Sequence, residues 1–407
     1  MGKYQSYNKK TCRLCHSRNL KTVYRLKKTP IGDDYTKKIK KNRLYDLKLN
    51  ICKRCKFVQL SNVINPNKVY GDYLYVTNTS SGLSEHFYEL GNTLIKKKIV
   101  SKKSKILEIG SNDGTLLKFF KNKCSYLLGV DPAVHLFKDN SIKIIKGLFN
   151  HNLSNQIKKN HGKFDVIVAN NVIANIDDLE DVFRGIENII SEKGFFIIET
   201  FALYGIIKNN LIDNIYHEHL SYFSIETFKK FSEKFNLNLI EAKFLSVKGG
   251  SLRFVFKKEK ISTSKKINNL IKKEKSILTN VEKKFKIIQK TNKYNSIKIY
   301  QLIDEIKRRG KTIAGFGASV GTTTLIYDFI LTKKIKYIFD NEKRRFGLYL
   351  PGTSIKVLNP KHIKKLNLDY IIIFAWRYAK LIIKRNIKIF NNKIKFAIPL
   401  PKFKIIK

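Results

Sequence analysis

The chain has 407 residues, enough for two or three domains with sizeable cores. Its 43% hydrophobic and 12% aromatic content argues against a disordered protein. The formal net charge of +49, from 81 Lys and Arg against 32 Asp and Glu, by itself suggests an anionic partner. The cations are mostly lysines spread along the whole chain, so we interpret them largely as solvated surface. This pattern does not favour nucleic acid as a partner, whereas an anionic small substrate suits it.

Membrane insertion and secretion are not indicated by the sequence. No stretch approaches the roughly 18 consecutive apolar residues of a membrane span, and the best run, residues 370–376, has the length of a strand. The N-terminus lacks the apolar core of a signal peptide. We therefore expect a soluble, cytoplasmic protein without a membrane partner. Five cysteines in such a chain indicate metal binding or free thiols rather than disulfides.

Two cysteine pairs lie near the start of the chain. Cys12-x-x-Cys15 and Cys52-x-x-Cys55 supply four thiolates, which can close a tetrahedral zinc site. Such a site is structural because four thiolates leave no open position for catalysis. We predict a zinc-binding module over residues 1–68, and four buried free cysteines are the alternative.

Residues 106–117 read as a strand, a tight turn and the start of a helix. The apolar run stops at Gly110, and Gly114 follows before the helical pattern begins. Asp131 ends the next apolar run, about 20 residues on, where dinucleotide folds hold ribose hydroxyls. The G-x-x-x-G spacing, with Glu108 just before it, resembles the S-adenosylmethionine (SAM) loop of class I methyltransferases. The alternative is an ordinary strand–helix turn.

Strand and helix patterns alternate from residue 88 to 257, which predicts an α/β doubly wound sheet. Asn170 ends one of the apolar runs, at the sheet edge where a cofactor crevice forms. The predicted strands cover 105–110, 126–131, 142–145, 164–170 and 194–200, and the predicted helices cover 177–190 and 225–235.

The loop over residues 214–224 holds the densest cluster of titratable side chains in the sequence. It contains Tyr216-His217-Glu218-His219 and a second tyrosine. An acid–base site is the leading interpretation because loops at this sheet edge face the methyl donor. A metal site built on the H-x-H pattern and a purely structural loop are the alternatives.

The rest of the chain predicts an amphipathic helical spacer and a second α/β unit. In this unit, Gly317 lies in a glycine-rich turn after a strand, and a later strand ends at Asp340, as in nucleotide-binding folds. Either each half of the chain binds its own ligand, or one of the two glycine-rich loops is only a turn.

These motifs, in this order, resemble the sugar C-methyltransferases that act on nucleotide-linked deoxysugars, from about residue 10 to beyond 375. The resemblance implies methyl transfer from SAM to a carbon next to a ketone. It also implies an α/β fold with a class I methyltransferase sheet, a zinc module and a Rossmann-like domain. The implied divisions are a zinc-binding module (1–68), a methyltransferase domain (69–257), a helical linker (258–295) and a C-terminal domain for the nucleotide-sugar (296–407).

The resemblance also implies roles for individual residues. A base must remove the C–H proton and donors must meet the developing oxyanion. His219 would be the base, oriented by Glu218, while Tyr216 donates to a substrate oxygen and Tyr75 is an active-site tyrosine. The implied cofactor-binding residues are Glu108, Gly110, Asn112, Asp113, Gly114, Asp131 and Asn170. The implied substrate-binding residues are Asn175, Gly317, Arg344, Arg345 and Arg377, and the zinc ligands are Cys12, Cys15, Cys52 and Cys55.

The sequence departs from the family pattern at four positions. Asn175 replaces a histidine, Gly321 replaces a frequent lysine, Ser354 replaces a histidine, and Arg377 replaces an asparagine. We expect the arginines at 344, 345 and 377 to restore lost positive charge at the nucleotide-sugar end.

Three other functions stay open on the sequence alone. One is an O- or N-methyltransferase acting on another anionic small molecule, which needs a base but no ketone. Another is a zinc-ribbon protein that binds nucleic acid, and the last is a scaffold that binds SAM without turnover. The oligomeric state is not encoded in these motifs, and a monomer is favoured.

Overall fold

The computed structural model describes residues 5–70, 76–79, 82–137, 139, 141–259, 261–366, 368–390 and 394–406. The N-terminal strands form a three-stranded antiparallel meander and a separate two-stranded ribbon. Along the strand Tyr45–Cys52, residues Leu47, Leu49 and Ile51 alternate toward the core, as a half-buried strand requires. The elements are β1 (Ser6–Asn8), β2 (Leu20–Thr29), β3 (Tyr45–Cys52), β4 (Val58–Leu60), β5 (Asn62–Ile64) and α1 (Pro66–Tyr70).

The central part confirms the predicted α/β doubly wound sheet. Its helices are α2 (Leu83–Lys96), α3 (Thr115–Phe120), α4 (His151–His161), α5 (Leu179–Ile189), α6 (Leu203–Asn209) and α7 (Ile225–Ser232). Its strands are β6 (Lys105–Ile109), β7 (Tyr126–Asp131), β8 (Lys143–Lys146), β9 (Phe164–Asn170), β10 (Ile190–Phe201), β11 (Ser221–Tyr222), β12 (Asn238–Leu245) and β13 (Ser251–Lys257).

Seven of these strands form one sheet in the order β12-β13-β10-β9-β6-β7-β8, in which only β13 runs opposite to the others. The chain order reverses at β6, so a crevice opens there at the carboxyl ends of β6 and β9. Buried Phe183 of α5 packs against Phe228, Phe231 and Phe235, so these aromatic side chains belong to the core.

The C-terminal part is a second α/β unit. Its helices are α8 (Lys265–Leu278), α9 (Val281–Arg308), α10 (Val320–Asp328) and α11 (Ala379–Asn386). Its strands are β14 (Ile313–Phe316), β15 (Tyr337–Phe339), β16 (Lys356–Leu358), β17 (Tyr370–Ile373), β18 (Lys395–Ile398) and β19 (Lys404–Ile406). They form a sheet in the order β16-β15-β14-β17-β18-β19, which is parallel except for β19. The predicted linker boundary at residue 295 falls inside the 28-residue helix α9.

The strand β11 joins the central part of the chain to the N-terminal part. It pairs with β4, so the N-terminal sheet has the order β11-β4-β3-β2. The predicted acid–base loop therefore leads directly into the edge of the N-terminal sheet. None of the described helices combines the length and apolar character needed to cross a bilayer.

Candidate active site

The two cysteine pairs come together in the structure. One sulfur atom from each of the four cysteines lies within 4.8 Å of the others. The Cys12 and Cys55 sulfurs are 3.5 Å apart and those of Cys15 and Cys52 are 3.6 Å apart. Four ligands at about 2.3 Å from a tetrahedral zinc ion are themselves about 3.8 Å apart, so this donor set fits Zn²⁺. The cluster is the one group of three or more metal-ligating side chains found among the described residues, and it does not include the H-x-H pattern.

A cavity of about 360 Å³ lies in the crevice at the carboxyl ends of the central strands. Two predicted cofactor residues, Asp113 and Gly114, shape the loop without lining the cavity. The Asp113 carboxylate accepts hydrogen bonds from the amides of Thr115 and Asn78. Gly114 has φ of 71°, and a Cβ there would lie 2.1 Å from the ring of Phe137. The predicted cofactor residues that line the cavity are Glu108, Gly110, Asn112, Asp131 and Asn170.

Several polar atoms in the cavity wall are buried without a partner. They belong to the carboxyl of Glu108, the hydroxyl of Ser111 and the amide of Asn170. Burial raises the pKa of Glu108 well above its usual value, and the charges of Asp113 and Asp131 act in the same direction. Buried polar groups normally have hydrogen-bond partners, so this wall fits a polar ligand. SAM supplies amino, carboxylate and hydroxyl groups, and the donor and acceptor types present suit it.

Asp131 lies at the end of β7, as the sequence predicts. Its two carboxylate oxygens accept hydrogen bonds from the amides of Asn112 and Ala133, at 2.8 and 2.7 Å. Each oxygen keeps a second lone pair, so the carboxylate is still able to accept ribose hydroxyls.

His219 lies in the wall of the cavity, between the rings of Phe201 and Tyr216, each with its centroid 3.7 Å away. Its Nδ1 is 2.7 Å from the carbonyl oxygen of Asn214. Because a carbonyl oxygen only accepts, Nδ1 carries the proton and Nε2 of the neutral ring has the lone pair. Burial lowers the pKa of His219 well below its usual value, and the positive charges of Lys248 and Arg377 lower it further. The ring is therefore neutral, with a lone pair on Nε2.

Three other residues are predicted to act beside His219: Glu218, Tyr216 and Tyr75. The resemblance assigns the orienting role to Glu218, whereas the described hydrogen bond on the ring is made by the Asn214 carbonyl. Glu218 and Tyr216 both line the cavity. Tyr75 lies outside the described residues.

Asn175 lies in the cavity wall beside Tyr70. The Tyr70 hydroxyl is hydrogen-bonded to Asn175. Burial raises the pKa of Tyr70, and the nearby charge of Glu218 raises it further. The Oδ1 atom of Asn175 is buried without a partner. The wall therefore offers an acceptor where the family resemblance leads us to expect a histidine.

A second cavity, of about 530 Å³, lies between the central and C-terminal parts and shares wall residues with the first. Tyr216, His219 and Lys248 line both. Five cationic and three acidic side chains line the second cavity, so its wall is weakly positive. The two adjoining cavities therefore meet at His219.

The three arginines that we expect to restore positive charge each form an ion pair within the chain. Arg344 lies 2.9 Å from Glu342, Arg345 lies 3.1 Å from Asp33, and Arg377 lies 2.7 Å from Asp213. All three line the second cavity, but each is already paired with an acid of the chain. The three arginines therefore provide the cavity with directional N–H donors rather than with net positive charge.

Two glycines of the C-terminal part act through packing. Gly317 is not in the wall of either cavity. Its φ is 93°, and a Cβ there would lie 2.5 Å from that of Ala375. Substrate binding by Gly317 stays a prediction from the resemblance. Gly321 lines the second cavity, but a Cβ there would lie 2.4 Å from the carbonyl oxygen of Asp213. The close backbone contact explains why a lysine is absent at 321.

The sequence does not reveal the importance of Asn214 and Lys248. Asn214 acts through its backbone carbonyl, which any residue type supplies. Lys248 has φ of 53° and precedes two glycines, a pattern that marks a tight turn but not a cavity wall.

The comparisons with known proteins agree with the fold and extend it. Three family models match successive parts of the chain: a zinc binding domain (residues 12–70), a methyltransferase domain (87–242) and a C-methyltransferase C-terminal domain (246–401). The C-methyltransferase NovU of Streptomyces niveus is 26% identical over 370 residues, which cover 89% of this chain and 88% of NovU.

Solved structures resemble the central part more distantly. A SAM-dependent methyltransferase from Anabaena variabilis aligns over 47% of this chain and 90% of its own, at 13% identity and a TM-score of 0.37. Magnesium protoporphyrin IX methyltransferase from Synechocystis, solved with bound SAH, aligns over 47% of this chain and 92% of its own, at 12% identity and a TM-score of 0.34. These two likenesses are too distant to bear on the site. The family models match a zinc binding domain, a methyltransferase domain and a C-methyltransferase C-terminal domain in this order, and with the similarity to NovU they show that the chain is a SAM-dependent methyltransferase.

Proposed function

We propose that the protein methylates a carbon next to a ketone in a nucleotide-linked sugar. The observation that carries the proposal is the position of His219, whose neutral ring lies in the walls of both cavities. A C–H group becomes nucleophilic only after a neighbouring carbonyl acidifies it and a base removes the proton. A base between a methyl-donor cavity and a second cavity is suited to this chemistry. The relationship to the C-methyltransferase NovU supports a carbon acceptor.

The residues of the proposed reaction have distinct tasks. The wall from Glu108 to Asn170 would hold SAM, whose sulfonium would supply an electrophilic methyl group. His219 Nε2 takes the proton from the substrate carbon, and the electron pair left behind forms the enolate. The enolate carbon would then bond to the methyl group as the S–CH3 bond breaks and SAH leaves. Tyr216, in the same wall, is the proposed donor to the developing oxyanion. The imidazolium proton is then returned to solvent.

A nucleotide-linked acceptor is consistent with the second cavity. Its wall holds five cations and three acids, which suits a diphosphate better than a neutral sugar. Lys248 and Arg377 lower the pKa of His219. A bound anion would offset their charges and raise that pKa, so the histidine becomes a stronger base when the substrate is present.

A structural zinc ion in the four-cysteine cluster is part of the proposal. The sulfur spacing fits tetrahedral coordination, and the family model for this region is a zinc binding domain. In this role the ion holds the fold of the N-terminal part and takes no part in methyl transfer.

Deuterium exchange tests the base directly. With SAH in place of SAM, wild type should exchange the α-hydrogen of a nucleotide-linked keto-sugar with deuterated solvent. In His219→Gln the exchange rate should fall by at least about a hundredfold, because an amide cannot take the proton. His362→Gln is the control, since His362 is exposed and remote from both cavities. Equal exchange by His219→Gln and wild type would exclude His219 as the base, and methyl transfer without any exchange would indicate an oxygen or nitrogen acceptor.

A further inference from the structure

Arg13 is the second residue of the first cysteine knuckle, directly after Cys12, and has a fully buried side chain. Its backbone amide donates to the side chain of Gln59 at 2.8 Å. The Gln59 amide in turn donates to the carbonyl of Thr11 at 2.9 Å. The knuckle is therefore fixed to β4 by side-chain and backbone hydrogen bonds on both sides of Cys12.

The Arg13 guanidinium contacts three other segments. Its Nε donates to the Asp177 carboxylate at 2.9 Å. Its Nη1 donates to the carbonyl of Leu60 at 2.8 Å and to the carbonyl of Leu220 at 3.2 Å. A buried arginine is strongly destabilising unless it is paired, so these contacts hold all the segments in one arrangement.

Two of those segments belong to the active site. Asp177 lines the cofactor cavity. Leu220 follows His219 directly, and its amide donates to the carbonyl of Ala174 at 2.8 Å, next to Asn175. Arg13 itself is not in either cavity wall. It therefore contacts the backbone beside the histidine and a side chain of the cofactor wall without touching either ligand space.

We infer that Arg13 is a positioning residue that links the folded cysteine knuckle to the cofactor cavity and to the His219 loop. The knuckle fixes the Arg13 backbone, and the guanidinium fixes Asp177 and the Leu220 carbonyl. The N-terminal module thereby orders the methyltransferase site from outside it. This inference rests on SAM as the cofactor and is independent of the acceptor.

The test compares Arg13→Met with Arg54→Met. Arg54 lies in the second knuckle but is exposed, so its variant controls for loss of a cation near the cluster. Three properties are measured: zinc content, the SAM dissociation constant by calorimetry, and backbone hydrogen exchange over residues 214–222. Arg13→Met should keep wild-type zinc, bind SAM at least tenfold more weakly and exchange faster over 214–222. Arg54→Met should match wild type in all three.

Asp177→Asn keeps the test decisive if Arg13→Met does not fold. This variant removes the negative charge that pairs with Arg13 and Lys9 and leaves the knuckle intact. It should weaken SAM binding while protection over 214–222 persists, because the Leu220 contact remains. A purely structural role for Arg13 predicts a lower melting temperature with unchanged SAM affinity. Wild-type SAM affinity in folded Arg13→Met, or in Asp177→Asn, would overturn the inference, whether or not sugar methylation is observed.

Discussion

Asn175 shows how one residue changes the chemistry available at a fixed position. Its amide cannot titrate, so this wall offers a permanent hydrogen-bond acceptor instead of an ionisable ring. Tyr70 holds the side chain through a hydrogen bond, and Oδ1 is left buried without a partner. We expect a hydroxyl or amino group of the acceptor to meet this oxygen.

Asn175 lines the first cavity, but the family resemblance assigns it to the acceptor, so replacing it by alanine should weaken acceptor binding without affecting SAM. A lost hydrogen bond in a buried site is worth about 0.5–1.5 kcal/mol, or roughly twofold to twelvefold in affinity. We therefore predict a rise of that size in the acceptor KM for Asn175→Ala. Calorimetry with SAM provides the internal control, because its dissociation constant should not change. An equal loss of SAM affinity would place Asn175 in the cofactor site.

At the scale of elements, α7 and α8 are joined by a buried carboxyl. Glu274 of α8 accepts a hydrogen bond from the amide of Ile225, the first residue of α7, at 2.7 Å. Burial raises the pKa of Glu274 to about 8. The folded protein therefore keeps this group protonated near neutral pH, whereas the unfolded chain ionises it.

Stability should consequently depend on pH through Glu274. A pKa raised by folding contributes stability below pH 4.5, which is lost as the pH rises through about 8. We predict that Glu274→Gln removes this loss and gains on the order of a few kcal/mol over wild type between pH 5 and 9. Urea unfolding at several pH values measures it. Parallel pH profiles for the two proteins would show that Glu274 does not titrate in this range.

Sequence patterns predict the central elements well because their causes are local. Long apolar runs and alternating helices specify β6, β7 and β9 to within one residue of the structure. The two-residue strand β11 has no such signal, since it exists only through pairing with β4. The helix α9 crosses the predicted boundary at 295 because its apolar spacing continues there.

The position of a site residue can be predicted where the residue belongs to a local motif. It cannot be predicted where partners distant in sequence determine it. The cysteine pairs and the loop after β6 have fixed local spacing. The four cysteine sulfurs lie together, and Glu108, Gly110 and Asn112 line the first cavity. Arg345 and Arg377, in contrast, pair with Asp33 and Asp213, which lie 312 and 164 residues away in sequence. No local pattern reveals such pairs, so the arginines appear free until the fold is known.

At the scale of the whole molecule, the four-cysteine cluster should determine the stability of the N-terminal part. Structural zinc contributes folding free energy directly, so losing one ligand weakens both metal binding and folding. We predict that Cys52→Ser contains less zinc and melts at a lower temperature than wild type. Cys124→Ser is the matched control, because Cys124 is the one cysteine outside the cluster. Equal zinc content in the two variants would contradict a four-cysteine site.

The whole-molecule arrangement places the proposed base where three parts of the chain meet. The His219 loop leaves the central sheet, continues into the N-terminal sheet through β11, and faces the C-terminal part across the second cavity. Methyl donor and acceptor can then reach one histidine from two sides. This arrangement suits carbon methylation because the base and the methyl group must act on the same carbon.

The most direct test of this account is the position of the transferred methyl group. The protein is incubated with methyl-¹³C SAM and a panel of nucleotide-linked keto-sugars, and the product is examined by NMR. We predict a ¹³C methyl bonded to the carbon next to the ketone, with the α-hydrogen lost from that position. A ¹³C methyl bonded to oxygen or nitrogen, or SAM binding without any labelled sugar, would contradict the proposed function.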